Sequence, residues 1–276
     1  MSSNPISDLD KERYLSTDGN IHLRGIQALA RLPFDNIRLL KRLYPNKRFG
    51  YFISGYPGSP LGSLDITLDS IQPLLRENNI FHVPGGNEDG AATMMWGSGL
   101  YRLFNKDGSN GNGKFDGVIG AWYGKAPGVR RIKDAADHMQ ITGLDKFCAG
   151  YFMSGDDHSA KSSSTPNSTE WEYYAVNIPT AYPGSPKEIL SLGKRAMLAS
   201  MISGLYVNLK VETFIADGSI SFDYNLDEDE ELTEKCGVIM EETEDYRRFF
   251  NTTLLKERLY ETSGNYTTQN YQCLLN

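Results

Sequence analysis

Several features that define whole classes of protein are scarce or missing in this sequence of 276 residues. Its three cysteines (Cys148, Cys236 and Cys273) are odd in number and far apart, which argues against a disulfide framework, a zinc site or an iron–sulfur centre. No apolar run approaches the roughly 20 residues that a membrane helix needs. The first residues lack the basic start and apolar core of a signal peptide. We therefore expect a cytoplasmic protein that contacts no membrane.

A surplus of positive charge is also missing. Lysine and arginine number 28 against 35 for aspartate and glutamate, so the net charge is −7. An acidic chain is a poor partner for nucleic acid or for an anionic membrane surface, and we expect neither. Apolar residues at 39% and charged residues at 23% are ordinary for a globular protein, and the length suits one α/β domain with an appendage.

Apolar runs of strand length alternate with segments of helical spacing. Strands are predicted at residues 49–54, 80–83, 115–123, 146–153, 178–182 and 205–213. Helices are predicted at residues 25–44, 64–78, 88–104, 134–142 and 185–203. Because helix-length segments separate the strands, the sequence predicts an α/β fold with a largely parallel sheet and helices on both faces.

The pattern changes toward the C-terminus. We predict a polar leader at residues 1–20, an α/β domain at 21–213, and an acidic linker with a partly helical tail at 214–276. The acidic run at 227–231 is expected to be solvated, and residues 246–260 could form a charged helix. We expect the chain to be truncated before a further domain.

Four loops rich in glycine, proline, serine and aspartate follow predicted strands, at residues 55–63, 84–93, 124–134 and 154–170. Carboxyl ends of parallel strands lie along one edge of a sheet, which is where α/β proteins bind ligands. Glu88 stands where a helix should begin, followed by small residues that would let a planar group approach. The alternative is that Glu88 only complements the positive end of the helix.

Four segments carry a resemblance to a known family. They are Gly-Tyr-Pro-Gly-Ser-Pro-Leu-Gly at 55–62, Asn-Glu-Asp-Gly-Ala-Ala-Thr at 87–93, Trp-Tyr-Gly-Lys-Ala-Pro-Gly-Val at 122–129 and Gly-Asp-Asp-His-Ser-Ala-Lys-Ser-Ser at 155–163. In order and spacing they resemble motifs of the indolepyruvate ferredoxin oxidoreductase family, a branch of the 2-oxoacid:ferredoxin oxidoreductases. The resemblance extends over about residues 14–210.

The resemblance implies a thiamine diphosphate enzyme that oxidatively decarboxylates aryl 2-oxoacids, makes acyl-coenzyme A and passes electrons to ferredoxin. This chain resembles the N-terminal, pyrimidine-binding domain of such enzymes, a parallel-sheet fold. The magnesium that accompanies the cofactor and the iron–sulfur clusters would belong to missing domains or subunits, and this chain would hold no metal. Those missing parts would be its partners. We expect the chain to be inactive alone and the complete enzyme to be a dimer.

Glu88 matches the family's glutamate that hydrogen-bonds a ring nitrogen of the cofactor's aminopyrimidine. That bond promotes deprotonation of the thiazolium carbon, a task that suits a carboxylate in a dry pocket. The resemblance thus implies Glu88 as the catalytic residue. The residues that it implies for cofactor binding are Gly55, Tyr56, Pro57, Gly58, Asn87 and Glu88.

A second set of residues is expected to meet the 2-oxoacid or coenzyme A. It consists of Ser59, Lys125, Arg131, Asp157, His158, Lys161 and Ser163. Ser59 matches a serine or threonine that faces the substrate carboxylate in the wider family, although it could be an ordinary turn residue. The cations suit anionic ligands but could be exposed surface groups, and the cluster at 157–163 could serve only to form turns.

The chain departs from the family pattern at Ala126, at Arg130 and at Gly90, and residues 165–169 lack the His-Gln expected after the proline. Two other functions therefore remain open. One is a non-catalytic remnant that keeps the fold and binds partner subunits. The other is an α/β protein that binds an unrelated small molecule.

Overall fold

The computed structural model describes residues 6–101, 114–228 and 234–235. Its helices are α1 Asp8–Leu15, α2 Gly25–Leu43, α3 Leu64–Ser70, α4 Gln72–Glu77, α5 Glu88–Gly99, α6 Ala126–Arg131, α7 Lys133–Thr142, α8 Glu170–Ala175, α9 Pro186–Ser203 and α10 Thr213–Asp217. Its strands are β1 Asp18–Arg24, β2 Phe49–Gly55, β3 Ile80–His82, β4 Gly117–Lys125, β5 Ala149–Asp156, β6 Thr180–Ala181, β7 Val207–Glu212 and β8 Ser219–Asn225. The helix predicted at 246–260 lies outside the described residues.

Within these residues, six strands form one sheet in the order β3-β2-β4-β5-β7-β6, and every pairing is parallel. Helices α2, α3, α4 and α9 cover one face, against a core that includes Tyr51 and Ala121. Helices α5, α6, α7 and α8 cover the other face, around Trp122 and Phe152. The predicted α/β fold, with a parallel sheet and helices on both faces, is confirmed.

The burial of the central strands explains why apolar runs in the sequence predicted them. β4 is buried along its length except for the half-buried Lys125, and every residue of β5 is buried. A parallel strand covered on both faces reads as a nearly continuous apolar run, which is the pattern found at 115–123 and 146–153. Both strands begin and end slightly later than predicted. Lys125 and Asp156 are therefore their last residues, at the carboxyl edge of the sheet.

The helix predicted at 64–78 is interrupted. The structure has α3 and α4 in its place, separated at Ile71, with Pro73 in the first turn of α4. Proline has no amide hydrogen to donate within a helix, so it fits a first turn better than an interior. α2, in contrast, continues from Gly25 to Leu43 with Pro33 inside it. Among the described helices, none combines the length and apolar character needed to cross a membrane.

A second, two-stranded sheet pairs β1 with β8 in antiparallel register, from Asp18 opposite Asn225 to Arg24 opposite Ser219. The guanidinium of Arg31, on α2, lies 4.4 Å from the centre of the Tyr224 ring on β8. Residues 219–225, which the sequence analysis placed with the linker and tail, thus pack onto the α/β unit. Where a further domain would begin stays a prediction.

Candidate functional site

The carboxyl ends of neighbouring strands bring the glycine-rich loops side by side. The amide of Gly85 donates to the carbonyl oxygen of Gly55 at 2.9 Å, and the amide of Tyr56 donates to the carbonyl oxygen of Tyr123 at 3.1 Å. These bonds join the loops after β2 and β3 to each other and to the end of β4. The expected arrangement of loops along one sheet edge is therefore present.

Glu88 is the first residue of α5. The preceding Asn87 caps the helix, because its side-chain oxygen accepts a hydrogen bond from the Gly90 amide at 2.7 Å. The carbonyl oxygen of Glu88 accepts a hydrogen bond from the indole nitrogen of Trp122, on β4, at 3.2 Å. The Asn87 cap and the Trp122 indole together fix the start of the helix. Only 6% of the surface of Glu88 is exposed.

The carboxylate of Glu88 is incompletely paired. Its Oε2 atom is buried and accepts no hydrogen bond from the described residues, while Nη1 of Arg131 lies 3.4 Å from it. Gly128 leaves the space that the side chain occupies, since a Cβ at that position would come within 2.8 Å of the Glu88 Cγ. A buried carboxylate oxygen without a hydrogen bond is costly, so it is a good acceptor for a ligand's N–H group.

The loop that follows β2 lies against β4 and β5. A Cβ on Gly58 would come within 2.9 Å of the Lys125 Cδ, so the lysine stem packs over this glycine. A Cβ on Gly155 would come within 2.8 Å of Pro60, which places the loop over the end of β5 as well. Tyr56 is 40% exposed at the start of the loop. The neighbouring Pro57 is exposed, and Ser59 is half-buried.

The polar residues predicted at 157–163 bond largely within their own loop and to its anchors. The Asp157 carboxylate accepts hydrogen bonds from the amides of Lys161 at 2.9 Å and Ser162 at 2.7 Å. Burial raises the pKa of Asp157, but these bonds outweigh it and hold the pKa at about 2. The Lys161 ammonium donates to Asp217, on α10, at 2.7 Å. The Oγ atom of Ser163 is buried and makes no hydrogen bond within the described part of the chain.

A cluster of charged residues with Lys210 and Asp156 buried at its centre lies beside this loop, and most of it was not predicted from the sequence. Lys210, on β7, is nearly fully buried, contacts the Glu170 carboxylate and lies 3.4 Å from Oδ2 of Asp156. Its ammonium lies 4.3 Å from the centre of the Tyr182 ring. Burial raises the pKa of the Asp156 carboxyl, although the Thr169 amide and Lys210 oppose the shift. A lysine inside the predicted strand 205–213 was the available signal.

His158 completes this cluster at its surface. Its Nδ1 lies 3.1 Å from Glu212 and its Nε2 lies 3.6 Å from Oδ2 of Asp156. Atoms of Asp156, His158 and Glu170 lie within 4.8 Å of one another, a spacing that could suit a metal ion. The Lys210 ammonium, however, already lies against the carboxylates of Asp156 and Glu170. It supplies the positive charge that a metal ion would otherwise bring.

The structure thus groups the predicted residues in two places. Glu88 and Arg131 meet across α5 and α6, and Lys125 packs over Gly58. Asp157, His158 and Lys161 have partners in their own loop, in the ends of β5 and β7, and in α10. Two contributors to the first group were not singled out from the sequence, namely Trp122 and Gly128. Both lie within the segment 122–129 that carries the resemblance, which was the signal that pointed to them.

Comparisons with known proteins bear on the fold. No protein-family model matches the sequence, and no curated protein matches it. Among solved structures, the chain is similar to "2-oxoglutarate:ferredoxin oxidoreductase from Magnetococcus marinus with 2-oxoglutarate, coenzyme A and succinyl-CoA bound", with a TM-score of 0.50 and 11% sequence identity. The similarity covers 74% of this chain and 31% of that chain. At this identity the comparison establishes a shared fold, and this chain corresponds to about a third of the neighbour's length.

Proposed function

We propose that this chain is the pyrimidine-binding part of a thiamine diphosphate-dependent 2-oxoacid:ferredoxin oxidoreductase, with Glu88 as its catalytic residue. Two independent observations support the proposal. Four sequence segments resemble motifs of the indolepyruvate ferredoxin oxidoreductase family, and the fold is similar to that of a 2-oxoglutarate:ferredoxin oxidoreductase. The motifs that resemble the family also supply the loops at the carboxyl edge of the sheet.

The observation that carries the proposal is the buried Oε2 atom of Glu88, which has an ion-pair partner in Arg131 but no hydrogen bond among the described residues. A buried carboxylate at a helix start, with Oε2 lacking a hydrogen bond among the described residues, suits a ligand that donates one N–H group. Because Gly128 has no Cβ, the Glu88 side chain can lie close to the backbone of the neighbouring helix. These residues therefore fit an aminopyrimidine in its imino form, in which a ring nitrogen carries an N–H group.

The chain's own residues would bind and orient such a ligand. Glu88 would accept the hydrogen bond from the ring, while the Asn87 cap and the Trp122 indole keep the start of α5 in place. The backbone of residues 55–58 would line the position where the ring meets the loop. Thiamine diphosphate would supply the carbon nucleophile that attacks the 2-oxoacid. Ser59 and Lys125, at the same edge, are proposed to meet the anionic substrate or coenzyme A.

The remaining features of the proposed reaction belong to the complete enzyme. Aryl 2-oxoacids as substrates, transfer of the acyl group to coenzyme A, and electron transfer through iron–sulfur clusters to ferredoxin are proposals based on the resemblance. Magnesium and the diphosphate group would be held by another domain or subunit. We also propose that the complete enzyme is a dimer. Asp157, His158, Lys161 and Ser163 remain proposed contacts of the 2-oxoacid or coenzyme A.

A binding experiment with matched variants tests the role of Glu88. Thiamine diphosphate and magnesium are titrated calorimetrically into the full chain, purified together with whatever partner subunit accompanies it. Glu88→Gln should weaken binding about tenfold or more, since a hydrogen bond to a charged group contributes roughly 1.5–3 kcal/mol. Asp89→Asn removes the same charge at the exposed neighbouring position and should bind like the wild type.

Two other results would favour the alternatives. If Glu88→Gln binds the cofactor and supports turnover of the complex as the wild type does, the chain is a non-catalytic remnant that keeps the fold. If neither the chain nor any complex that contains it binds thiamine diphosphate, the ligand of this α/β protein is a different small molecule.

A further inference from the structure

Two consecutive arginines end α6 and point to different neighbours. Nε of Arg130 lies 2.6 Å from the carboxylate of Glu172, on α8, whereas Nη1 of Arg131 lies 3.4 Å from the carboxylate of Glu88, on α5. The two side chains carry the same charge and are similarly exposed, at 57% and 60%. One arginine therefore ties α6 to α8, and the other reaches the residue proposed to be catalytic.

The pair formed by Arg131 and Glu88 is unequal. The Glu88 side chain is 7% exposed and the Arg131 side chain is 60% exposed. The carboxylate has lost most of its water, so it needs a nearby positive charge, whereas the guanidinium keeps much of its hydration. The contact is close enough for electrostatic attraction, yet it leaves Oε2 without a hydrogen bond. A long, hydrated side chain for which the described residues provide this one ion-pair contact can move away at low cost.

We propose that Arg131 is the internal counter-ion of Glu88 and occupies the ring-binding position of that carboxylate until a ligand displaces it. The proposal rests on the proposed function, because the displacing group is the ring N–H of an aminopyrimidine in its imino form. Arg131 acts through Glu88 and is a positioning residue. It stabilises the buried carboxylate in the ligand-free chain and lowers the net affinity for the ring, because its own contact must first be broken.

The first test needs no ligand. Urea unfolding midpoints are measured for the full chain as wild type, Glu88→Gln, Arg131→Gln and the double variant. Arg131→Gln should lower the midpoint, because it leaves a buried carboxylate without its counter-ion, and adding Glu88→Gln should recover most of that loss. Arg131→Lys, which keeps the charge, should stay near the wild type. Additive effects of the two single substitutions would refute the pairing.

The second test measures displacement. Thiamine diphosphate with magnesium is titrated into the full chain together with its partner subunit. Arg131→Gln should bind about threefold more tightly than the wild type, since loss of a partly exposed ion pair removes only a small barrier. Arg130→Gln is the matched control, because it removes the same charge from the adjacent residue without touching Glu88, and its affinity should not increase.

The outcomes separate this inference from the proposed function. Equal or weaker binding by Arg131→Gln would overturn the displacement, because Arg131 would then be neutral or a ligand contact. Failure of every chain, wild type included, to bind thiamine diphosphate would overturn the proposed function and with it the identity of the displacing group. The unfolding cycle would still decide whether Arg131 is the counter-ion of Glu88.

Discussion

At the scale of single residues, the candidate site depends on small side chains as much as on charged ones. Gly128 has no side chain where Glu88 needs room, and Gly58 has none where the Lys125 stem passes. Both neighbours are charged residues with long side chains, so each glycine lets a flexible side chain lie close to the backbone. The side chains of Glu88 and Lys125 can therefore take these positions because the adjacent residues are glycines without a Cβ atom.

Replacing Gly128 with alanine should impair ligand binding without unfolding the protein. The new Cβ would lie 2.8 Å from the Glu88 Cγ and 3.2 Å from its Oε1, so the carboxylate has to shift. We expect thiamine diphosphate affinity to fall about tenfold, while the gain in helix propensity, roughly 1 kcal/mol, offsets much of the strain. Calorimetric titration and urea unfolding measure the two effects.

Gly97→Ala provides the control for this substitution. Gly97 lies in α5, and a Cβ there meets nothing within 4 Å. This variant should bind as the wild type does and be slightly more stable. Unchanged binding by Gly128→Ala would mean that the position of the Glu88 carboxylate does not limit affinity.

At the scale of secondary-structure elements, Lys210 joins β5, β7 and α8. Its ammonium contacts Asp156 at the end of β5 and Glu170 at the start of α8. Asp156 also accepts hydrogen bonds from the amide of Thr169 at 2.9 Å and from its hydroxyl at 3.2 Å. The loop 157–169 is thus held at both ends by the charged cluster around Lys210 and Asp156.

Replacing Lys210 with methionine should therefore destabilise the fold. The change leaves the buried Asp156 carboxylate without its cation. Removing one member of a buried ion pair lowers the free energy of unfolding by about 3 kcal/mol or more. Urea unfolding should show this loss, and adding Asp156→Asn should recover part of it. Lys187→Met breaks an exposed pair with Glu228, 3.4 Å apart, and should change stability by no more than about 1 kcal/mol. Similar losses for both lysine variants would contradict the importance of burial.

At the scale of the whole molecule, the sheet formed by β1 and β8 joins the two ends of the described α/β unit. β8 buries Phe222 and Tyr224, and Leu226 follows directly after it, also buried. The Arg31 side chain, fully buried on α2, contacts both the Tyr224 ring and the carbonyl oxygens of Arg13 and Ser16. Segments near both ends of the described α/β unit thus contact the same helix.

Two truncated chains test how much β8 contributes to stability. A chain that ends after residue 228 keeps β8 and the buried residue that follows it, so it serves as the reference for a chain that lacks both. A chain that ends after residue 217 should lose on the order of 5 kcal/mol, since each large buried apolar side chain contributes roughly 1.5–3 kcal/mol. Equal stability of the two truncated chains would show that β8 is dispensable.

The sequence was most informative where structure depends on local pattern. Apolar runs at 49–54 and 146–153 predicted central strands, and the position of Glu88 at a helix start was predicted from its neighbours. β8 was not predicted: Ser219–Asn225 was assigned to the acidic linker, although its alternation of polar and apolar residues is typical of a half-buried strand. The break between α3 and α4 was signalled by Pro73, whereas the similar signal at Pro33 lies in a continuous helix.

The sequence by itself determined the parallel α/β fold, the loops at its carboxyl edge and the place of Glu88 at the start of a helix. These follow from hydrophobic periodicity and turn chemistry, which act between residues close together in the chain. Only the tertiary structure decided that Arg131 faces Glu88 while Arg130 faces Glu172, and that Lys210 meets Asp156 and Glu170. Such pairs form between distant segments, because their geometry depends on how helices and strands pack at the sheet edge.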